Sequence, residues 1–217
     1  MTKNNYADAR LKKFIIYSGI TVFLAFLFVG FTLVVRTKIL NPVDFAITVK
    51  LQNHLPRDYD EFLSVFSLIG SFEIISAILL LLVLLRRKIR SLLIFIPFLA
   101  THLVEIFGKG LVRHPGPPFM FFRYNLNFLF PSSYVQPGSS YPSGHSLRTL
   151  FLTVLLVYII LKSRVGRRAK IFLFGVLTVF DLIMLISRIS LGEHWTTDVV
   201  GGAILGTGGG IFSLLFL

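Results

Sequence analysis

The stretch SRISLGEHWTTD, residues 187–198, sets Arg188, His194 and Asp198 at fixed offsets in a chain that is 54% hydrophobic. His194 and Asp198 stand four residues apart, the spacing at which a carboxylate meets an imidazole on one helical face. A carboxylate so placed fixes the imidazole tautomer and stabilises the imidazolium, which suits the ring to work as a base or a nucleophile. A second polar cluster, YPSGHS at residues 141–146, opens an apolar run. Pro142 and Ser143 read as a helix start, so the N–H groups of Gly144 and His145 are expected to point outward from a helix N-terminus, a favourable place for an anion.

Phosphoryl transfer asks mainly for positioning and for positive charge around the phosphate oxygens. Arg188, Lys109 and the Ser143 and Gly144 amides can supply that charge, and a second histidine near the first can serve as acid. The chemistry suggested is a phosphatase that works through a phosphohistidine. No metal and no cofactor is expected, because beyond the His194 and Asp198 pair no carboxylate and histidine cluster stands at ligand spacing.

These residues resemble the type 2 phosphatidic acid phosphatases, membrane lipid phosphatases related to the vanadium haloperoxidases. That family carries three motifs: Lys-x6-Arg-Pro, Pro-Ser-Gly-His and Ser-Arg-x5-His-x3-Asp. The second is complete here as Pro142, Ser143, Gly144 and His145, and the third as Ser187, Arg188, His194 and Asp198. The resemblance implies that His194 attacks phosphorus, that Asp198 orients it, and that His145 protonates the leaving lipid alkoxide or phosphate. It implies that Arg188, Lys109, Ser143 and Gly144 hold the phosphate oxygens. For a bacterial chain it makes undecaprenyl diphosphate the leading substrate, with phosphatidylglycerol phosphate and phosphatidic acid behind it.

The first motif departs from the pattern. In KGLVRHPGP, Lys109 is present, but Gly116, followed by Pro117, stands where the family has arginine. Arg113, His114, Arg123 and Arg148 are the candidates for the missing charge, and Arg148 lies three residues after His145 on the same helical face. An unreplaced arginine costs on the order of a few kcal/mol of transition-state stabilisation. This keeps a second reading open, a catalytically weakened phosphate-lipid binding or transfer protein on the same scaffold. A transporter or a purely structural membrane protein is a third, supported only by charged residues within apolar runs.

Six apolar runs must position these groups. Residues 14–35 and 199–217 are uncharged, whereas 63–85 contains Glu73, 91–107 His102 and Glu105, 146–161 Arg148, and 171–186 Asp181. A helix rises about 1.5 Å per residue against a hydrocarbon core of about 30 Å. The expected fold is therefore all-α, a polytopic membrane protein with a bundle of six transmembrane helices forming one domain over residues 1–217. The first run reads as a retained anchor, because it is too long for a signal peptide and RTKILNP offers no small-residue cleavage site.

The net charge of +12 is a matter of topology rather than of nucleic acid. Thirteen of the 22 basic residues lie at 3–13, 86–90 and 162–170, which are alternate ends of a six-span path. The positive-inside rule then places both termini in the cytoplasm and the two polar clusters on the outer membrane face. The expected partners are a lipid phosphate substrate and membrane lipids. With no cysteine in the chain, the outer connections must be ordered by packing and the membrane surface.

The connection after the first run reads as an interfacial helix, with Val43, Ala46, Ile47 and Leu51 opposite Asp44, Thr48 and Gln52. The connection over 109–144 is long and rich in Pro, Gly and aromatic residues, which points to an ordered outer loop dipping into the headgroup layer. Trp195 and this Phe-rich loop are expected to be interface anchors. Among the buried charges, Glu105 is expected to pair with Arg148, and Asp181 lies two turns before Arg188. His54 and His114 read as solvated loop residues.

Overall fold

The computed structural model describes residues 3–128, 130–131 and 139–217, without the side chains of 3–7 and 9. Among the described residues eight α-helices follow one another: α1 (Lys3–Arg36), α2 (Asn41–His54), α3 (Asp60–Ser67), α4 (Phe72–Arg86), α5 (Phe95–Val112), α6 (Gly144–Lys162), α7 (Arg167–Ser190) and α8 (Thr196–Ser213). Short 3₁₀ turns join several of them, and no strand occurs among the described residues. The chain is an all-α membrane protein.

By length and apolarity four helical segments among the described residues can cross a membrane: Arg10–Arg36, Ile89–Val112, Gly144–Lys162 and Arg167–Ser190. The run expected over 63–85 is broken. Residues Arg57–Gly70 and Phe72–Arg86 meet at a 50° bend and count as a fifth span only when taken together. Ser71 explains the break, since it is extended and its hydroxyl accepts the Ile74 N–H at 3.3 Å, capping a new helix in mid-run. The expected sixth, α8, is not among these four, and Asp198 and six glycines fall within it. It is also the least exposed to lipid, packing against α6, α1 and α5. In a membrane, small residues let helix backbones approach closely where hydrocarbon burial gives no advantage over lipid.

The tightest contact is between α6 and α8. A Cβ on Gly206 would overlap the Leu147 carbonyl, so only glycine permits this crossing. Farther from the site, Phe98 is fully buried and packs against Phe72 and Phe151 at ring separations of 5.8 and 5.2 Å. With Ile75, Leu79, Val83, Ile94, Leu152 and Leu155 it forms the seam of α4, α5 and α6. At the end away from the polar clusters, an Arg90 Nη2 donates to the Leu215 carbonyl at 2.7 Å and ties the start of the α5 segment to the chain's last turn.

The interfacial helix has its faces reversed relative to the protein. In α2 the polar residues Asp44 and Thr48 are buried, whereas Val43 and Phe45 are half exposed. Its polar side is an inward docking surface and its apolar side faces outward, as a helix lying between bundle and lipid requires. Gln52 Nε2 donates to the carbonyls of Phe121 and Ser190 at 2.6 and 2.8 Å, binding α2 to the long loop and to the end of α7.

Candidate active site

The ends of α5 and α7 and the starts of α6 and α8 meet on one side of the bundle. α7 runs to Ser190, so Ser187 and Arg188 belong to its last turn rather than to a loop. A tight turn follows, in which the Glu193 and His194 N–H groups both donate to the Arg188 carbonyl at 3.2 and 3.0 Å. Gly192 takes φ +70°, and a Cβ there would overlap the Phe121 carbonyl, so both backbone angle and space demand glycine. The long loop braces this turn, with the Arg123 N–H donating to the Leu191 carbonyl at 2.9 Å.

His194 follows the turn and Asp198 sits in the first turn of α8. The carboxylate Oδ2 accepts the Trp195 N–H at 2.8 Å and stands 3.5 Å from His194 Nδ1. Asp198 is fully buried. His194 lies outside the spans, and its burial pushes the imidazole below its usual value, against the opposing pull of Asp198 and with help from the positive charges of Arg188 and Lys109. The ring is therefore neutral near pH 7, with Nδ1 turned to the carboxylate and Nε2 left for other work.

Ser143 is the N-cap of α6, as its sequence context suggests, yet its hydroxyl caps nothing and is buried without a partner among the described residues. Its N–H donates to the Asp198 carbonyl at 2.9 Å, and the Ser146 hydroxyl to the Val199 carbonyl at 2.6 Å, which joins the two polar clusters directly. His145 lies within electrostatic reach of Arg188, Arg148, His194 and Lys109. Gly70 leaves room for its ring, since a Cβ there would come within 2.9 Å of His145 Cδ2. Gly144 lies against the ends of two charged side chains: a Cβ there would overlap the Glu105 carboxylate and the Arg148 guanidinium, which would have to move.

Arg188 is 1% exposed and pairs through Nη2 with the Glu193 carboxylate. Its Nε and Nη1 have no partner among the described residues. Buried donors without acceptors are costly, so these, with the Ser143 hydroxyl, are suited to receive an anion. Lys109 Nζ reaches Glu105 Oε1 at 2.9 Å. Glu105 also meets His102 Nδ1 at 2.8 Å and Arg148 Nη1 at 3.4 Å, so one carboxylate gathers three basic groups beneath the cradle.

The candidates for the missing motif-one charge separate. Arg148 is engaged, its Nε donating to the Gly70 carbonyl at 2.8 Å and its Nη1 lying 3.4 Å from Glu105, beside Gly144. Arg123 donates to the carbonyls of Leu55 and Gln52 at 3.0 and 2.9 Å and braces α2. Arg113 is exposed in a left-handed conformation after α5. His114, expected in solvent, is buried with Nδ1 3.0 Å from Asp198 Oδ1, because the loop folds back over the start of α8.

Two other residues named from the sequence find partners within the protein. Asp181 accepts from the Thr153 hydroxyl at 2.8 Å. Trp195 donates from Nε1 to the Pro115 carbonyl at 2.8 Å and packs edge-on to Phe121 at 6.1 Å, which makes it a clasp for the long loop. Sequence reasoning missed Glu193 and the capping role of Asp44. The carboxylate of Asp44 accepts both the N–H of Thr197 at 2.9 Å and its hydroxyl at 2.7 Å across 153 residues of chain.

No curated protein sequence matches the chain. Among solved structures it is similar to the first transmembrane PAP2 type phosphatidylglycerolphosphate phosphatase from Bacillus subtilis, with a TM-score of 0.70, 21% identity, and 90% of this chain and 93% of the other covered. It is also similar to Aquifex aeolicus LpxE, with a TM-score of 0.57, 20% identity, and 78% and 93% covered. At such identities the likeness is one of fold. The family model of the PAP2 superfamily matches residues 90–217, which is more than half of the chain and contains all three polar segments, and the protein belongs to that superfamily.

Proposed function

We propose that this membrane lipid phosphatase hydrolyses a lipid phosphate or diphosphate through a phosphohistidine on His194, at the outer face of the membrane. The observation that carries the reading is that the buried Asp198 carboxylate faces His194 Nδ1 at 3.5 Å, so that Nε2 supplies the attacking lone pair, with donors of Arg188 and Ser143 that have no partner among the described residues to receive the phosphate.

In the first step the Nε2 lone pair attacks phosphorus and the bond from phosphorus to the lipid oxygen breaks. That oxygen takes a proton from His145. Arg188, the Ser143 hydroxyl and the N–H groups opening α6 hold the phosphate oxygens, and Lys109 adds positive charge. In the second step water loses a proton to His145 and attacks phosphorus, the N–P bond breaks, and inorganic phosphate leaves with both histidines restored. The same intermediate can pass its phosphoryl group to an alcohol.

The basic residues at 3–13, 86–90 and 162–170 support cytoplasmic termini and an outward-facing site. Undecaprenyl diphosphate, phosphatidylglycerol phosphate and phosphatidic acid all present the terminal phosphate that this cradle would take, with undecaprenyl diphosphate as the leading candidate. The test is phosphate release by detergent-solubilised protein in EDTA, with the three lipids run in parallel beside a His194→Ala control. Release that disappears in the variant supports the mechanism and ranks the lipids. Release that persists in the variant overturns it.

A further inference from the structure

We propose that His114 is a positioning residue for this reaction, acting on His194 through Asp198. The inference rests on the reading of His194 as nucleophile. A carboxylate has two oxygens and rotates readily about its terminal bond. Oδ2 of Asp198 is engaged by the Trp195 N–H and faces His194, while Oδ1 is met by His114 Nδ1 at 3.0 Å. Without His114 nothing among the described contacts of the side chain holds Oδ1, and a fully buried oxygen would lack its donor.

The structure invests heavily in placing this imidazole. The His114 N–H donates to the Ser139 hydroxyl at 3.0 Å. Its carbonyl accepts from the hydroxyls of Ser139 and Ser140, each at 3.1 Å, and from the Ser140 N–H at 2.9 Å. The ring meets Tyr141 edge-on at 6.4 Å, and the Tyr141 hydroxyl shares a hydrogen bond with Thr32 of α1 at 2.8 Å. The residues just before Pro-Ser-Gly-His therefore clamp a histidine from the first motif against the aspartate of the third.

The link is also electrostatic. His194 faces Asp198 of α8, Arg188 of α7, Lys109 of α5 and His145 of α6. Asp198 faces His114 and His194, with Asp44 of α2 and Tyr141 nearby. A donor on Oδ1 draws carboxylate charge away from His194, so the nucleophile stays less basic. Removing that donor returns the charge and makes His194 easier to protonate.

The test compares wild type, His114→Ala and His114→Asn, the last keeping an N–H donor near the position of Nδ1. In His114→Ala, kcat falls by about tenfold to a hundredfold with KM little changed, the range that loss of an orienting partner produces. The acid limb of kcat/KM moves to higher pH, and Asn restores most of the rate and of the limb. Equal losses in both variants with an unmoved limb would mean that His114 only fills space, and full activity in His114→Ala would also overturn the proposal. Nitrogen-15 NMR titration of His194 reads the same linkage without turnover. An upward shift in His114→Ala on a protein that releases no phosphate sinks the phosphatase reading but keeps the linkage, and an unshifted His194 sinks the linkage.

Discussion

Arg148 Nε donates to the Gly70 carbonyl at 2.8 Å, across the bend between α3 and α4. The broken helix exposes a carbonyl that a continuous one would have used, and a guanidinium one turn along α6 from His145 is spent on it. The other arm of Arg148 reaches Glu105, which also holds Lys109 and His102.

Glu105→Gln should therefore destabilise the protein. Neutralising the shared partner leaves Arg148 and Lys109 with less compensation, and breaking a buried pair costs about 3–5 kcal/mol. Thermal unfolding in detergent, with phosphate release on the same samples, is the measurement. An unchanged Tm would show that the network contributes nothing to stability.

Glu193→Gln should tighten binding. The Glu193 carboxylate occupies one arm of Arg188, so a phosphate must displace it before using the whole guanidinium. Removing that competitor lowers KM, and the inhibition constant of inorganic phosphate, by several-fold, a change of about 1 kcal/mol. A higher KM would mean instead that Glu193 holds Arg188 ready for substrate.

Gly116→Arg tests the departure in the first motif. A Cβ at 116 would stand 3.6 Å from Ser140 Cβ, an ordinary contact, so the backbone admits a side chain without strain. An added guanidinium that reaches the phosphate raises kcat by at least about tenfold, given that one well-placed donor supplies about a hundredfold or more. No gain in a protein of unchanged Tm would show that the existing cations already complete the site.

The pH profile should have a low acid limb. Burial holds the His194 pKa below its usual 6.5, and on the proposed mechanism the ring attacks only when unprotonated. Activity is thus retained at neutral pH and lost as pH falls through a value under 6.5. A limb in kcat/KM above 6.5, with a substrate that does not itself titrate there, would show that Asp198 outweighs burial.

Spacing in the sequence locates the polar ends of α6, α7 and α8 because the relations involved are local: an N-cap, a terminal arginine, and a histidine and aspartate four residues apart, although His194 lies in the bend before α8 and not on its face as expected. The break at Ser71 is hidden, since a hydroxyl in an apolar run looks the same whether it caps a helix or lies within one. The placing of His114 is hidden for a different reason. Its contact with Asp198 depends on how a long loop returns to the bundle, and no periodicity records that. Glu193 also gave no signal, being one acidic residue in a turn whose shape decides that it meets Arg188.

The Asp44 carboxylate binds the first turn of α8 while its own helix offers Val43 and Phe45 outward. The first turn of α8, which carries Asp198, is thus moored to a helix whose outer side is apolar. On the proposed mechanism any load on α2 would reach Thr197, the neighbour of Asp198, and turnover in nanodiscs of graded thickness measures whether it does.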